Sequence, residues 1–100
     1  MSPLYQRRLK AIADNGGSDL ITGGKRGIEK ECLRITPTGR IAQTPHPVAL
    51  GSALTNRFIT TDYSEALLEF VTPPEYSAWA ATQFLCDVHQ FTYAAIGDEL

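Results

Sequence analysis

Two glutamates, Glu29 and Glu31, lie two residues apart in a stretch predicted to form a strand over residues 27–35. Successive side chains on a strand point to opposite faces, so both carboxylates share one face, with Cα atoms roughly 7 Å apart. Like charges placed in this way repel each other unless a cation lies between them, and Mg²⁺ prefers carboxylate oxygens at about 2.1 Å. A divalent-cation site is therefore one interpretation of this spacing. The other interpretation is a solvated strand edge, balanced by the basic side chains at positions 25, 26 and 30.

A second acidic pair, Asp62 and Glu69, lies further along the chain. Glu69 stands inside the apolar run Leu-Leu-Glu-Phe-Val. A carboxylate there is costly to bury unless it is paired, protonated or bound to a metal. The alternative is that Glu69 faces water on a half-exposed strand. Asp62 follows two threonines and by itself is typical of a turn or cap residue.

The elements that must position these carboxylates follow from periodicity and turn chemistry. The apolar spacing predicts a short amphipathic helix over residues 4–13 and a longer helix over residues 77–96. A bend at residues 62–65 followed by a strand from Ala66 fits the β-branched flanks of that segment. The turn chemistry of residues 36–39 suggests a returning hairpin strand over residues 40–44.

The long helix carries two further expectations. Thr72-Pro-Pro-Glu75 resembles a capping box that would open the helix. An apolar stripe is expected to face the core, with Trp79 also expected in the core. The stripe consists of Phe84, Val88, Phe91 and Ala95.

Composition excludes several classes of protein. The chain has 100 residues, 43% of them hydrophobic, with a net charge of -2, which suits one domain or part of one. That charge gives no reason to expect a nucleic-acid partner, and no apolar stretch is long enough to cross a membrane. Two cysteines without a signal peptide suggest free thiols in a reducing cytoplasm. The apolar run that stops at Leu100 suggests a truncation point there.

Three ordered blocks of the sequence resemble the bacterial glutamate–cysteine ligases. Arg26-Gly-Ile-Glu-Lys-Glu-Cys-Leu-Arg34 is similar to the family stretch R-G-[IL]-E-x-E-x-L-R. The segment from His46 to Thr55 and the segment from Ile59 to Pro73 follow in the family's order and at similar spacing. The resemblance runs from about Gly24 to Leu100, whereas the first twenty-odd residues show no comparable pattern.

The resemblance implies a fold and a reaction. The fold would be the glutamine-synthetase-like α+β fold, with an antiparallel sheet, flanking helices and carboxylates that hold magnesium. The reaction would be the first step of glutathione biosynthesis, in which ATP, L-glutamate and L-cysteine give γ-glutamylcysteine, ADP and phosphate through a γ-glutamyl phosphate. The family's metal carboxylates fall on Glu29, Glu31, Asp62 and Glu69.

The resemblance also sets limits. The family protein is several times longer, so residues 1–100 would be the N-terminal portion of a single catalytic domain, and this chain alone is expected to have no ligase activity. Two alternatives stay open. In the first, the chain is part of another carboxylate–amine ligase of the same superfamily that uses a different amine. In the second, it is a non-catalytic acidic module that binds divalent cations.

Overall fold

The architecture is a small antiparallel sheet covered on one face by a helix and preceded by a helical arm. A computed structural model describes all 100 residues. The strand order is β1-β3-β2, with β3 in the centre and antiparallel to both neighbours. This confirms the predicted α+β class with an antiparallel sheet. The elements in chain order are α1 (Pro3–Asp14), α2 (Gly17–Thr22), β1 (Glu29–Leu33), a 3₁₀ turn (Val48–Leu50), β2 (Ile59–Thr60), β3 (Leu67–Val71) and α3 (Ala78–Ala95).

The two faces of the sheet differ because side chains alternate along β3. Leu68 and Phe70 are buried on the face that α3 covers, and Glu69 points to the other face. The core is completed by one residue each from β2, the 3₁₀ turn and α3. These are Ile59, Leu50 and Val88. Burial of this apolar set therefore dictates which side chains of β3 are left for chemistry on the outer face.

The N-terminal arm consists of α1 and α2. The Ser2 hydroxyl accepts a hydrogen bond from the Tyr5 amide and caps α1, while Gly16 takes the left-handed conformation (φ 73°) that separates the two helices. None of the residues of either helix is buried. The predicted helix over residues 4–13 is confirmed, and the segment after it forms the short α2.

The predicted hairpin strand over residues 40–44 is wrong. The turn before it is present, since the Gly39 amide donates to the Thr36 carbonyl at 2.9 Å. Beyond it only a single bridge forms, between Ile35 and Ile41. The ladder does not continue because the Thr44 carbonyl accepts a hydrogen bond from the guanidinium of Arg34 instead of a strand amide.

The predicted capping box at the start of α3 is also wrong. The Ser77 hydroxyl is the cap, accepting from the Ala80 amide at 3.0 Å. Thr72 instead continues the pairing just beyond β3, because its amide donates to the Ile28 carbonyl and its hydroxyl accepts from the Ile28 amide, both at 2.9 Å. Glu75 forms a bridge with Arg26, so the helix begins only at Ala78.

The apolar stripe of α3 is confirmed in part. Val88 is buried and Phe84 and Ala95 pack against the core, but Phe91 is 54% exposed and Trp79 is 75% exposed. With 3.6 residues per turn, Phe91 lies roughly 80° around the helix from the centre of the buried face. That face is formed by Ala81, Val88 and Thr92.

Two other features bear on the sequence-based expectations. Cys32 and Cys86 are both free thiols. None of the helices combines the length and the apolar character needed to span a bilayer.

Candidate metal centre

The strand register brings two of the predicted carboxylates face to face. Glu31 on β1 lies directly opposite Glu69 on β3, and Thr60 on β2 lies opposite Glu69 on its other side. Directly opposed side chains on one sheet face come within about 5 Å, and like charges there destabilise the pairing. The sheet therefore holds two acidic groups in a repulsive arrangement that a bound cation would relieve.

Asp62 reaches the same site from the bend that joins β2 to β3. One carboxylate oxygen from each of Glu31, Asp62 and Glu69 lies within 4.8 Å of the other two. These three residues, called the acidic triad below, come from two strands and a bend, and Glu31 is distant from the other two in the sequence. Convergence of hard oxygen donors from separate elements is what a divalent-cation site requires.

No basic side chain neutralises the acidic triad. The two ion pairs of the chain join Lys10 to Asp14 and Arg34 to Glu99. Of the cations near β1, Lys25 lies over the ring of Tyr76 and Lys30 lies 2.8 Å from Nε2 of His89. None of the three basic residues of the strand-edge interpretation, Arg26 included, forms an ion pair with the acidic triad.

The electrostatics of Glu69 reflect this crowding. Its pKa is raised above the ordinary value, first by desolvation and then by the negative charges of Glu29, Asp62 and Glu31. Glu69 is partly buried, while Glu31 and Asp62 are exposed. A site in which three neighbours all oppose ionisation of a central carboxylate is one that gains from positive charge.

Glu29 shares the face of the acidic triad but stands outside it. It lies opposite Val71, one side-chain repeat along β1 from the Glu31–Glu69 pair. Its charge still raises the pKa of Glu69, so its carboxylate contributes to the negative potential at the acidic triad. The structure thus brings together three of the four predicted ligands, and a role for Glu29 stays a prediction.

The donor set fits magnesium. In an octahedral site with bonds of about 2.1 Å, neighbouring oxygens lie about 3.0 Å apart and opposite oxygens about 4.2 Å apart. The triad oxygens, at 4.8 Å or less, need to close in only modestly. Rotation of the exposed Glu31 and Asp62 side chains can supply that movement.

The other residues with metal-binding or nucleophilic chemistry lie elsewhere. The Cys32 thiol donates to the Leu68 carbonyl at 3.7 Å on the helix-covered face, where burial raises its pKa. His89 packs edge-on against Phe70 with ring centroids 4.8 Å apart, and desolvation followed by the charge of Lys30 lowers its pKa. Both lie across the sheet from the acidic triad.

Sequence reasoning missed the part played by Arg34. Its side chain is buried, with the residue only 2% exposed. Strand periodicity held a signal, because Arg34 has the same parity as the core-facing Cys32. An arginine at such a position must find several acceptors inside the protein.

Comparison with known proteins gives consistent matches. A family model described as glutamate-cysteine ligase matches residues 9–100. Among curated relatives, a glutamate–cysteine ligase from Janthinobacterium sp. (strain Marseille) is 53% identical over all 100 residues, and one from Alcanivorax borkumensis is 53% identical over 95 residues. These matches begin earlier in the chain than the resemblance from Gly24. The chain spans 19% and 18% of the lengths of these relatives.

Two solved structures also match this chain. The crystal structure of a glutamate–cysteine ligase from Francisella tularensis in complex with AMP superposes with a TM-score of 0.76 at 43% identity, covering 78% of this chain and 16% of that one. A bifunctional glutathione synthetase from Pasteurella multocida gives a TM-score of 0.78 at 32% identity, covering 88% of this chain and 12% of that one.

Proposed function

Because the chain belongs to the glutamate–cysteine ligase family, we propose that it forms part of an enzyme that joins L-glutamate to L-cysteine. In the proposed reaction, ATP phosphorylates the side-chain carboxylate of glutamate. The amine of cysteine then attacks this acyl phosphate and gives γ-glutamylcysteine, with ADP and phosphate released. The single observation that supports a role for this chain is the convergence of the acidic triad on one face of the sheet.

In this proposal Glu31, Asp62 and Glu69 hold magnesium, and Glu29 contributes to a second ion beside them. Magnesium bound there would neutralise negative charge on the phosphate oxygens of ATP during transfer. The chain's own contribution is geometric. Two ligands are fixed by the β1–β3 register and the third by the bend before β3, so the carboxylates are placed before any ion arrives.

The triad supplies only part of such a site, and water or phosphate oxygens would fill the other ligand positions. Octahedral magnesium takes six oxygens, and three carboxylates binding through one oxygen each supply half of them. The chain also spans only about a fifth of the length of its relatives. We therefore expect no ATP-dependent turnover from the isolated 100-residue chain, measured as phosphate release with glutamate and cysteine present.

The test is a chimera. The matching segment of the Janthinobacterium relative is replaced by this chain, and phosphate release is measured with ATP, glutamate and cysteine together and with each omitted. The proposal predicts turnover that needs all three. Glu69→Gln in the chimera should lower turnover by about 100-fold or more, as loss of a directly bound ligand exceeds the 10–100-fold typical of outer-shell changes.

The matched control is Glu65→Gln, the same chemical change four residues away. The Glu65 carboxylate makes no hydrogen bond or ion pair, and its side chain is exposed, so this variant should keep the turnover of the unsubstituted chimera. Turnover of Glu69→Gln equal to that of the control would remove Glu69 from the site.

The same chimera separates the alternative functions. A ligase that uses another amine would release phosphate when cysteine is exchanged for that amine. A non-catalytic cation-binding module would give a folded chimera that binds Mn²⁺ but shows no turnover with any amine.

A further inference from the structure

Arg34 gathers an unusual number of acceptors around one buried guanidinium. Nη1 donates to the Thr44 hydroxyl at 2.7 Å and to the Glu99 carboxylate at 2.6 Å. Nη2 donates to the carbonyl oxygens of Thr44 at 2.9 Å, Pro45 at 3.2 Å and Glu65 at 2.9 Å. Burying a charge is costly, so a side chain placed in this way is expected to hold these segments in one arrangement.

One of those acceptors lies at the end of the bend that carries Asp62. The Arg34 side chain holds the Glu65 carbonyl, and the Arg34 amide donates to the next carbonyl, that of Ala66, at 2.8 Å. The start of the bend is held by β2, where Thr60 pairs with Glu69. Arg34 thus fixes the far end of the bend through two successive peptide groups.

Asp62 depends on this anchoring more than the other members of the acidic triad do. Glu31 and Glu69 lie opposite each other inside paired strands, so backbone hydrogen bonds of the sheet set their separation. Asp62 lies outside the strands, and its position follows from the path of the bend. Any loosening at Glu65 therefore moves Asp62 relative to the other two carboxylates.

We propose that Arg34 is a positioning residue for the metal centre, holding the bend so that Asp62 stays within reach of Glu31 and Glu69. The proposal rests on the metal-binding role given to the triad above. Glu99, from the segment after α3, supplies the opposite charge, and the Thr44 hydroxyl bridges Arg34 and Glu99. The end of the long helix is thereby linked to the geometry of a cation site on the other face of the sheet.

Lysine is the informative replacement. Lysine keeps the positive charge beside Glu99. Its single ammonium group cannot at the same time reach the Glu65 carbonyl, which the second terminal nitrogen of the arginine guanidinium contacts. Arg34→Lys should fold, release the Glu65 carbonyl and weaken binding of Mn²⁺ by about tenfold, the lower end of the range for outer-shell partners. Arg40→Lys, at an exposed arginine whose side chain makes no hydrogen bond, is the matched control and should bind like the unsubstituted chain.

The decisive comparison is a double-mutant cycle, with affinity measured by Mn²⁺ titration followed by NMR line broadening and the fold checked by circular dichroism. If Arg34 acts through Asp62, the double variant Arg34→Lys/Asp62→Asn binds no more weakly than Asp62→Asn alone. A merely structural role would add the two losses. Additive losses, or wild-type affinity in Arg34→Lys, would overturn the proposal.

Two further arms complete the test. Should Arg34→Lys unfold, Glu99→Gln removes the opposite charge with little change in shape, and the same cycle with Asp62→Asn is measured. The proposal predicts that Glu99→Gln weakens Mn²⁺ binding in the unsubstituted chain but causes no further loss in the Asp62→Asn variant. Unchanged affinity in Glu99→Gln contradicts the proposal. Absence of Mn²⁺ binding by the unsubstituted chain would overturn the metal centre itself, and this inference with it.

Discussion

Phe70 offers the sharpest test of how the sheet is oriented. It follows Glu69 directly, is 1% exposed and belongs to the core cluster with Leu50 and Ile59. Because side chains alternate along β3, burial of Phe70 forces Glu69 onto the opposite face. A measurement of how much Phe70 stabilises the fold therefore also tests the placement of the acidic triad.

The expected magnitude follows from the contacts of the ring. Replacing a fully buried phenylalanine by alanine costs about 3–5 kcal/mol through lost transfer free energy and the cavity left behind. The edge-on contact with the His89 ring, 4.8 Å between centroids, favours the upper half of that range. Since small domains have a free energy of unfolding of about 5–15 kcal/mol, Phe70→Ala should remove about a quarter of it or more.

The matched control is Phe91→Ala on α3. Phe91 is 54% exposed, so the same substitution should cost about 1 kcal/mol or less. Urea unfolding followed by circular dichroism gives both values, and the milder Phe70→Leu, expected to cost about 1–2 kcal/mol, serves if Phe70→Ala does not fold. Equal losses at positions 70 and 91 would refute the assigned orientation of the sheet.

Two pH-dependent predictions follow from the shifted carboxyl groups. The pKa of Glu69 is raised by desolvation and then by the charges of Glu29, Asp62 and Glu31. As the pH is lowered, Glu69 should therefore be protonated, and Mn²⁺ affinity should fall, at a higher pH than for an ordinary glutamate. Mn²⁺ titrations at stepped pH measure this. The pKa of Glu99 is lowered, first by the Thr44 hydrogen bond. The stability it contributes is complete above the unfolded-state pKa and is lost as the pH falls through the folded-state pKa. Melting temperatures should therefore fall less on acidification in Glu99→Gln than in the unsubstituted chain, and an unchanged acid dependence would contradict this.

The parts of the site that depend on local periodicity could be predicted from the sequence. Strand alternation placed Glu29 and Glu31 on one face, and the same alternation in the predicted strand from Ala66 implies that Glu69 faces away from Leu68 and Phe70. These predictions succeed because a strand has a fixed period of two whatever its partners are.

The convergence of the acidic triad could not be obtained in that way. It depends on the Glu31–Glu69 register, which joins residues 38 positions apart in the numbering, and on the order that puts β3 between β1 and β2. Register is set by pairing across the sheet and by burial, neither of which a single strand encodes.

The two wrong predictions of local structure, the capping box and the hairpin strand, share one cause, which is competition from contacts outside the local segment. Thr72 has the local chemistry of a helix cap, but its amide and its hydroxyl both form hydrogen bonds with the backbone of Ile28. Thr44 has a residue type that suits a hairpin strand, but its carbonyl and its hydroxyl both accept hydrogen bonds from the Arg34 guanidinium. In both cases a partner far along the chain or on another element outweighs a preference of short range.

The metal-binding role of the acidic triad is tested most directly by locating where a hard divalent cation binds on the folded chain. Paramagnetic broadening by Mn²⁺ in ¹H–¹⁵N spectra locates the ion, with Asp62→Asn as the test variant and the exposed Asp19→Asn on α2 as the matched control. Amide signals nearest Glu31, Asp62 and Glu69 should broaden first, and Asp62→Asn, but not Asp19→Asn, should weaken this effect. Broadening spread over unrelated acidic residues and insensitive to Asp62→Asn would contradict the metal-binding role.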